Sequence, residues 1–503
     1  MAKHFRDLKS EVPAGDDIRP VLAYKDLREW LTEAERLGEV RVVKGLDTEE
    51  EIGMAAEVVM GSDEADCVVF DDIKGYEPGW RVLVNFFGAK RKNMTLGFPT
   101  ELDKLQLSEA YYKAQFKGLT PIPHEVVDTG PVMENVMEGV DVDLSKFPTP
   151  FWHPDDGGHY IGTGGYDVTV DPDTGWMNIG SHRVMVHDKM TVGYCISLDK
   201  HGYNHRDKYL DRGERMPTVI VVGGDPMTFL TSRTEMPQGV FEYDIVGAMR
   251  GEALKVICGR HTGIPFPADA EIVLEGFVDP EDRRVEGPFG EWTGYYDSNI
   301  RPTPAMQVEA IYHRNIPIIL GCPPQHPPDE LCRYRAVTRS AMLRAEIQKA
   351  GVPDVTAAWA HEVGNSRLLL AVSIKQRYPG HSKQAGHVAA MCNVGAYAGR
   401  YVIVTDEDVD VSNLQELTWA MLTRSDPATS IDIIKGAWST PQDPRIPPWE
   451  KEKGNMTSSR ALIDACRPYH WRDQYPTVNA PSPEMARKAR ERFGYLLDGR
   501  DAH

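Results

Sequence analysis

The chain has 503 residues, of which 41% are hydrophobic, and a formal charge of −19. At roughly 100–200 residues per domain it can build two to four packed units, but so acidic a chain repels a phosphate backbone, so nucleic acid is not an expected partner. Its longest apolar runs, such as Thr218–Val222 and Ile316–Leu320, fall far short of the ~20 residues that cross a bilayer.

The opening Met1-Ala2-Lys3-His4-Phe5-Arg6-Asp7 goes straight into charged sequence, without a secretory apolar segment. The seven cysteines form no CxxC pair and leave an odd count. That pattern reads as reduced thiols in a cytoplasmic protein. An anionic substrate would have to be drawn in by local positive charge that overrides the global field.

Leu27, Trp30, Leu31, Ala34 and Leu37 follow i, i+3, i+4 spacing and predict a helix over 24–37, with Gly38 as its C-cap. A strand over 40–43 and a helix over 50–60, stopped by Gly61, give this opening an α/β character. Pro121 and Pro123 interrupt the pattern. From about 130 to 330 glycine and proline become frequent and short β-rich runs dominate: 165–170, the turn Asp171-Pro-Asp-Thr-Gly175, 176–179, 271–278 and 305–312. Strands at this density predict an antiparallel barrel or sandwich. Helices over 336–350 and 386–398 alternate with strands over 368–374 and 401–404. A proline-rich charged loop at 440–455 is placed to cross to another domain or subunit. Ser482-Pro483 starts a last helix with Met485, Ala489, Phe493 and Leu496 on one stripe. The expected class is α/β (α+β), divided into residues 1–125, 126–330 and 331–503.

Three clusters carry chemistry. In Glu286-Gly-Pro-Phe-Gly-Glu291 two carboxylates flank a segment whose glycines permit tight turns, so both acids can enter one cavity with separated pKa values. A surface loop with two solvated glutamates is the commoner origin of such a stretch. In Asn178-Ile-Gly-Ser-His182-Arg183, with His187 beyond, the arginine fork suits a planar carboxylate, although structural ion pairs are the commoner use. In Asp199-Lys-His201-Gly-Tyr-Asn-His205 the two histidines stand at i, i+4 and could bind a metal if helical, yet most such pairs are surface residues. GxxxxGK[ST], GxGxxG after a strand, GxSxG and HExxH are all missing, so hydrolase, kinase and dinucleotide readings lose their usual support.

In order along about 25–470, these clusters resemble the UbiD decarboxylases. The likeness also rests on Glu242, Glu271-Ile-Val-Leu-Glu-Gly276, Arg333, Arg377, Tyr401-Val-Ile-Val-Thr-Asp-Glu-Asp-Val-Asp410 and Trp419-Ala-Met-Leu-Thr-Arg424. It implies a central split β-barrel of flavin-reductase type over 126–330 that binds prenylated FMN, and a C-terminal α/β domain that makes homo-oligomers, dimers or hexamers. It implies a separate flavin prenyltransferase as cofactor supplier, and Mn2+ (or Mg2+) and K+ beside the flavin phosphate. The reaction implied is reversible, non-oxidative decarboxylation of an aromatic or heteroaromatic acid. A physiological carboxylase, an aryl-CoA decarboxylase and a non-catalytic flavin-binding scaffold are the alternatives.

By that resemblance Asn178, His201 and Glu242 ligate the metal, and Trp176 offers a carbonyl to K+. Arg183 holds the substrate carboxylate, Glu286 supports Arg183, and Glu291 delivers the proton that replaces CO2. Ser181, His182 and Lys200 fall at flavin contacts, and Arg400 stands where the family usually has a phosphate-touching lysine. His326, in Gly321-Cys-Pro-Pro-Gln-His-Pro-Pro-Asp-Glu330, lies where family members shape the substrate pocket, although a loop histidine facing water is an equal reading.

Overall fold

The computed structural model describes residues 20–116, 120–196, 200–234, 236–296 and 300–494. The first helix, Leu27–Arg36, begins where Asp26 accepts the Glu29 N–H, and it buries Leu27, Trp30, Leu31 and Ala34. Strands Val40–Lys44, Cys67–Asp71 and Arg81–Val84 form a small sheet beside helix Glu51–Met60. The sheet is completed from far along the chain, because Ile318–Leu320 pairs parallel to Arg81–Val84.

The β-rich region folds as a seven-stranded sheet beside a small three-stranded one of Pro265–Pro267, Lys255–Cys258 and Glu125–Val126. The path of the larger sheet runs Asn135–Glu138, Arg301–His313, Ile272–Glu286, Met216–Val222, Tyr166–Val170, Met177–Gly180, with Thr191–Gly193 also paired to Arg301–His313. Its pairings are antiparallel, and the path is open at its ends. Val219, Val221 and Val273 enter one hydrophobic core, while Ile220, Val222, Ile272 and Leu274 enter another. Both faces of the sheet are therefore covered, which explains why these strands read as unbroken apolar runs instead of alternating ones.

The C-terminal sheet is mixed, in the order Val355–Ala360, Leu369–Ile374, Tyr401–Asp406, Thr457–Ala465, Ile431–Trp438. Helix Glu330–Lys349 starts six residues before the expected position, because Asp329 accepts the Cys332 N–H as its N-cap. The expected helix over 386–398 is His381–Met391 followed by the short Asn393–Ala396, since Gly380 at φ +85° sets an earlier start. In the last helix, Pro483–Phe493, Met485 and Phe493 are exposed, so the predicted stripe faces outward; Leu496 lies outside the described residues.

One core runs through all three regions, joining Trp30, Phe86, Phe229, Tyr334 and Trp359. Acids of the family motifs act as its fasteners. Buried Glu271 receives an Arg28 fork at 2.8 and 2.9 Å, tying the first helix to the central sheet. Arg424 forks onto Asp408 with two bonds of 2.8 Å and reaches Asp406 at 3.2 Å.

His361 is buried, and desolvation pushes it down to about 4. A histidine held neutral in the fold contributes stability above its unfolded pKa of about 6.5, and that contribution is lost as pH falls towards the folded value. The stability advantage of wild type over His361→Gln should therefore shrink between about pH 6.5 and pH 4. Urea unfolding of both proteins across that interval measures it, and a constant difference would contradict the assignment.

Candidate active site

The strand Met177–Gly180 runs out into residues 181–186, which are clamped by residues 159–162 through Ile161 N–H to Val184 O at 3.0 Å and Val186 N–H to His159 O at 2.9 Å. This fixes the backbone of Arg183. Its partner arrives at the end of the long strand Ile272–Glu286. Arg183 Nε donates to Glu286 Oε1 and Nη2 to Glu286 Oε2, both at 2.7 Å. Tyr160 donates to the same Oε1 at 3.0 Å, so buried Glu286 receives three hydrogen bonds. Burial works against the Arg183 charge, but the hydrogen bonds and charge of Glu286 more than offset it and raise the pKa above its ordinary value.

Glu291 stands on the other side of the guanidinium, with Oε1 3.3 Å from Nη1. The segment between the acids is a turn folded inward. Phe289 is 2% exposed, stacks on Tyr160 with centroids 4.0 Å apart, and lies 5.5 Å from Arg183 Cζ. Two glycines permit this. Gly287 takes φ +86°, and a Cβ on Gly157 would sit 2.1 Å from Gly287 O. Trp292 then donates to Gln442 Oε1 at 2.9 Å, so the 440–455 loop reaches the central region as expected. The guanidinium and two acids converge as anticipated. Tyr160 was missed, although the run Gly157-Gly-His-Tyr-Ile-Gly-Thr-Gly-Gly165 marks a close backbone approach.

A second cluster lies on the same strand. His201 Nδ1 is 3.1 Å from Asn178 Oδ1, and Glu242 Oε2 accepts the Ile179 N–H at 2.9 Å. His201 and Glu242 are each the first residue of a helix, His201–Asp211 and Glu242–Arg250. Two helix N-termini thus meet one strand, which favours a bound anion such as phosphate. Burial raises Glu242 to about 7, with the nearby Asp167 charge acting in the same direction. Burial, then Lys200, lowers His201, which keeps the imidazole available as a ligand. An amide oxygen, one imidazole and one carboxylate suit Mn2+ or Mg2+ better than zinc. Among the described residues no group of three His, Cys, Asp or Glu side chains is placed to hold a metal, and this set depends on the Asn178 amide.

The remaining expected residues divide. His205 does lie one turn from His201 on a helix, but it is buried, with Nδ1 3.0 Å from Thr169 Oγ1, and so does not form a metal pair with it. The Trp176 ring lies 4.9 Å from that of His201, while its carbonyl accepts Asp171 N–H at 2.8 Å. Ser181 donates to Gly165 O at 2.8 Å, and His182 Nδ1 is 2.6 Å from Asp167 Oδ1. Lys200 is the N-cap of the His201 helix, and Asp199 lies outside the described residues. Arg400 pairs with Asp443 at 2.5 Å, which joins it to the 439–443 loop. His326 is exposed and packs against Gly294, so in this structure it faces water.

The sequence matches the UbiD family in three parts: the 3-octaprenyl-4-hydroxybenzoate carboxy-lyase N-terminal domain over 31–109, the Rift-related domain over 124–327 and the C-terminal domain over 333–465. The chain belongs to the UbiD family. A relative is the pyrrole-2-carboxylic acid decarboxylase of Pseudomonas aeruginosa, 28% identical over 90% of this chain and 94% of that protein. The vanillic acid decarboxylase of Sedimentibacter hydroxybenzoicus in open form superimposes with a TM-score of 0.81 at 27% identity, over 95% of this chain and 99% of the other. An evolved dimeric form of the UbiD-class enzyme HmfF from Pelotomaculum thermopropionicum, in complex with prFMN, gives 0.77 at 26% identity, over 92% and 98%. The mixed α/β architecture of the chain is thus that of UbiD-class enzymes.

Proposed function

We propose that this UbiD-family chain is a carboxy-lyase that removes CO2, reversibly and without oxidation, from an aromatic or heteroaromatic acid with the help of prenylated FMN. The observation that carries the reading is the Arg183 guanidinium, held in a fork by buried Glu286 while Glu291 stands at its remaining nitrogen. When bound, the prenylated flavin supplies the electron sink that loss of CO2 from an sp2 carbon demands. Asn178, His201 and Glu242 would hold a divalent cation against the flavin phosphate, with the two helix N-termini behind it. The Trp176 carbonyl, which keeps a second lone pair, is the proposed K+ ligand. Ser181, His182, Lys200 and Arg400 complete the proposed flavin contacts.

Arg183 orients the substrate carboxylate, and the two bonds from Glu286 prevent it from swinging away. Glu291 stands on the longer contact, 3.3 Å from the guanidinium. It delivers a proton to the ring carbon vacated by CO2. Phe289 and Trp292, 2% and 9% exposed, keep water from that proton. His326, beside Gly294, is the proposed contact to the substrate ring. The further proposals are a split-barrel arrangement of the central sheet, boundaries near 125 and 330, homo-oligomers built by the C-terminal region, a cytoplasmic setting and a prenyltransferase as supplier.

Protein co-produced with a flavin prenyltransferase should carry the modified flavin, identified by its absorbance and ligand mass, and should release CO2 from at least one acid of an aromatic panel. Glu242→Ala should lower both bound metal and bound flavin at least tenfold, measured by elemental analysis and absorbance. Full occupancy of both in that variant would remove Glu242 from the metal set.

A further inference from the structure

Outside the Arg183 network, three more guanidinium groups gather on the C-terminal side of the Glu291 loop. Arg233 follows the helix Pro226–Ser232, Arg335 lies in the second turn of Glu330–Lys349, and Arg367 follows the turn Glu362–Gly364. Hydrogen bonds draw these elements together: Thr234 Oγ1 and Tyr334 Oη are 2.6 Å apart, and Arg335 Nη1 donates to Asn365 Oδ1 at 2.7 Å. Arg233 Nη2 donates to Thr163 O at 3.2 Å. The Arg367 guanidinium lies 5.7 Å from the ring of Trp292, the residue after Glu291, and 4.7 Å from that of Tyr397.

Among the described residues neither Arg233 nor Arg335 forms an ion pair, and Arg233 Nε is buried without a hydrogen-bond partner. The nearby acid, Asp329, is engaged by the N–H groups of Cys332 at 2.8 Å and Gln325 at 3.3 Å. Gln325 itself is 5% exposed, and both of its side-chain amide atoms are buried without a partner. Burial, then the charges of Arg367 and Arg233, push Arg335 down to about 10. Gathering like charges in a poorly hydrated place is unfavourable unless an anion joins them, and guanidinium forks match carboxylates in shape.

We propose that Arg233, Arg335 and Arg367, with the Gln325 amide, form a second anion subsite that holds a carboxylate borne by the substrate ring away from the one that leaves. This rests on the decarboxylase reading and narrows it to aromatic dicarboxylic acids. Arg183 takes the departing carboxylate, and the trio takes the one that stays. Together they supply the local positive charge that a chain of net charge −19 needs to admit a dianion.

Calorimetric titration of the flavin-loaded protein with benzoate, benzene-1,3-dicarboxylate, benzene-1,4-dicarboxylate and inorganic phosphate at constant ionic strength tests the subsite without turnover. At least one diacid should bind tenfold or more tighter than benzoate. Arg335→Gln should erase that advantage, and Arg335→Lys should keep part of it. If Arg335→Gln does not fold, Gln325→Glu gives the same readout, because it places a competing carboxylate among the arginines. Diacids binding no tighter than benzoate would overturn the proposal. So would an equal loss for benzoate and diacids in Arg335→Gln, or loss of flavin from that variant, which would assign the trio to the cofactor phosphate. Inorganic phosphate binding as tightly as the diacids, and lost in the same variants, would likewise overturn it. A diacid advantage in binding, with no acid of the panel decarboxylated, would leave the subsite standing and remove the decarboxylase reading. Turnover of monoacids with no diacid advantage would do the reverse.

Discussion

Glu291→Gln in cofactor-loaded protein should lower kcat for decarboxylation by about 10²–10⁴-fold, the usual range for loss of a positioned general acid. The amide matches the carboxyl in shape but has no proton to give at neutral pH. The Arg183–Glu286 fork does not involve Glu291, so bound flavin should be retained and KM should change much less than kcat. Exchange of ring hydrogen for deuterium at the product carbon is a second readout, because it needs the same proton transfer without loss of CO2. Wild-type turnover or wild-type exchange in this variant would take the proton-donor role away from Glu291.

Glu286→Ala should have the largest effect on stability. Arg183 is 14% exposed at its side chain and Glu286 is 1% exposed, so the variant leaves a buried guanidinium without its bidentate partner. Breaking such a pair from one side typically costs about 3–5 kcal/mol. Turnover should fall below detection as well, since nothing then fixes the guanidinium plane. Glu286→Gln keeps one acceptor oxygen but turns an NH2 towards Arg183, and should lose less, on the order of 1–3 kcal/mol. Urea denaturation of the three proteins ranks them. Equal stability of wild type and Glu286→Ala would mean that the fork seen here contributes nothing net.

These expectations rest on contacts that no single stretch of sequence contains. The Glu286-to-Glu291 segment announced a turn carrying two acids, yet its composition by itself fits a solvated surface loop better. The inward reading wins because Phe289 stacks on Tyr160 and because Gly157 lets the Gly287 backbone approach. Likewise the i, i+4 histidines suggested a metal pair. In the fold, His205 turns towards Thr169 while His201 meets Asn178 from the neighbouring strand. Helical spacing states which residues share a face, but not what that face packs against.

Local patterns in the sequence were sufficient for several of the elements. The first helix follows from its apolar spacing and Asp26, the hairpin 166–180 from Asp171-Pro-Asp-Thr-Gly175, and the covered sheet from the unbroken runs at 218–222 and 272–274. Periodicity and turn chemistry act over a few residues, so they survive without a fold. The charge constellations were decided only by tertiary structure. Arg183 meets an acid 103 positions away, and Arg335 is bonded to Asn365 thirty positions away and shares its surroundings with Arg233 and Arg367. Burial then determines which of these charges must find a partner, and burial is a property of the packed chain.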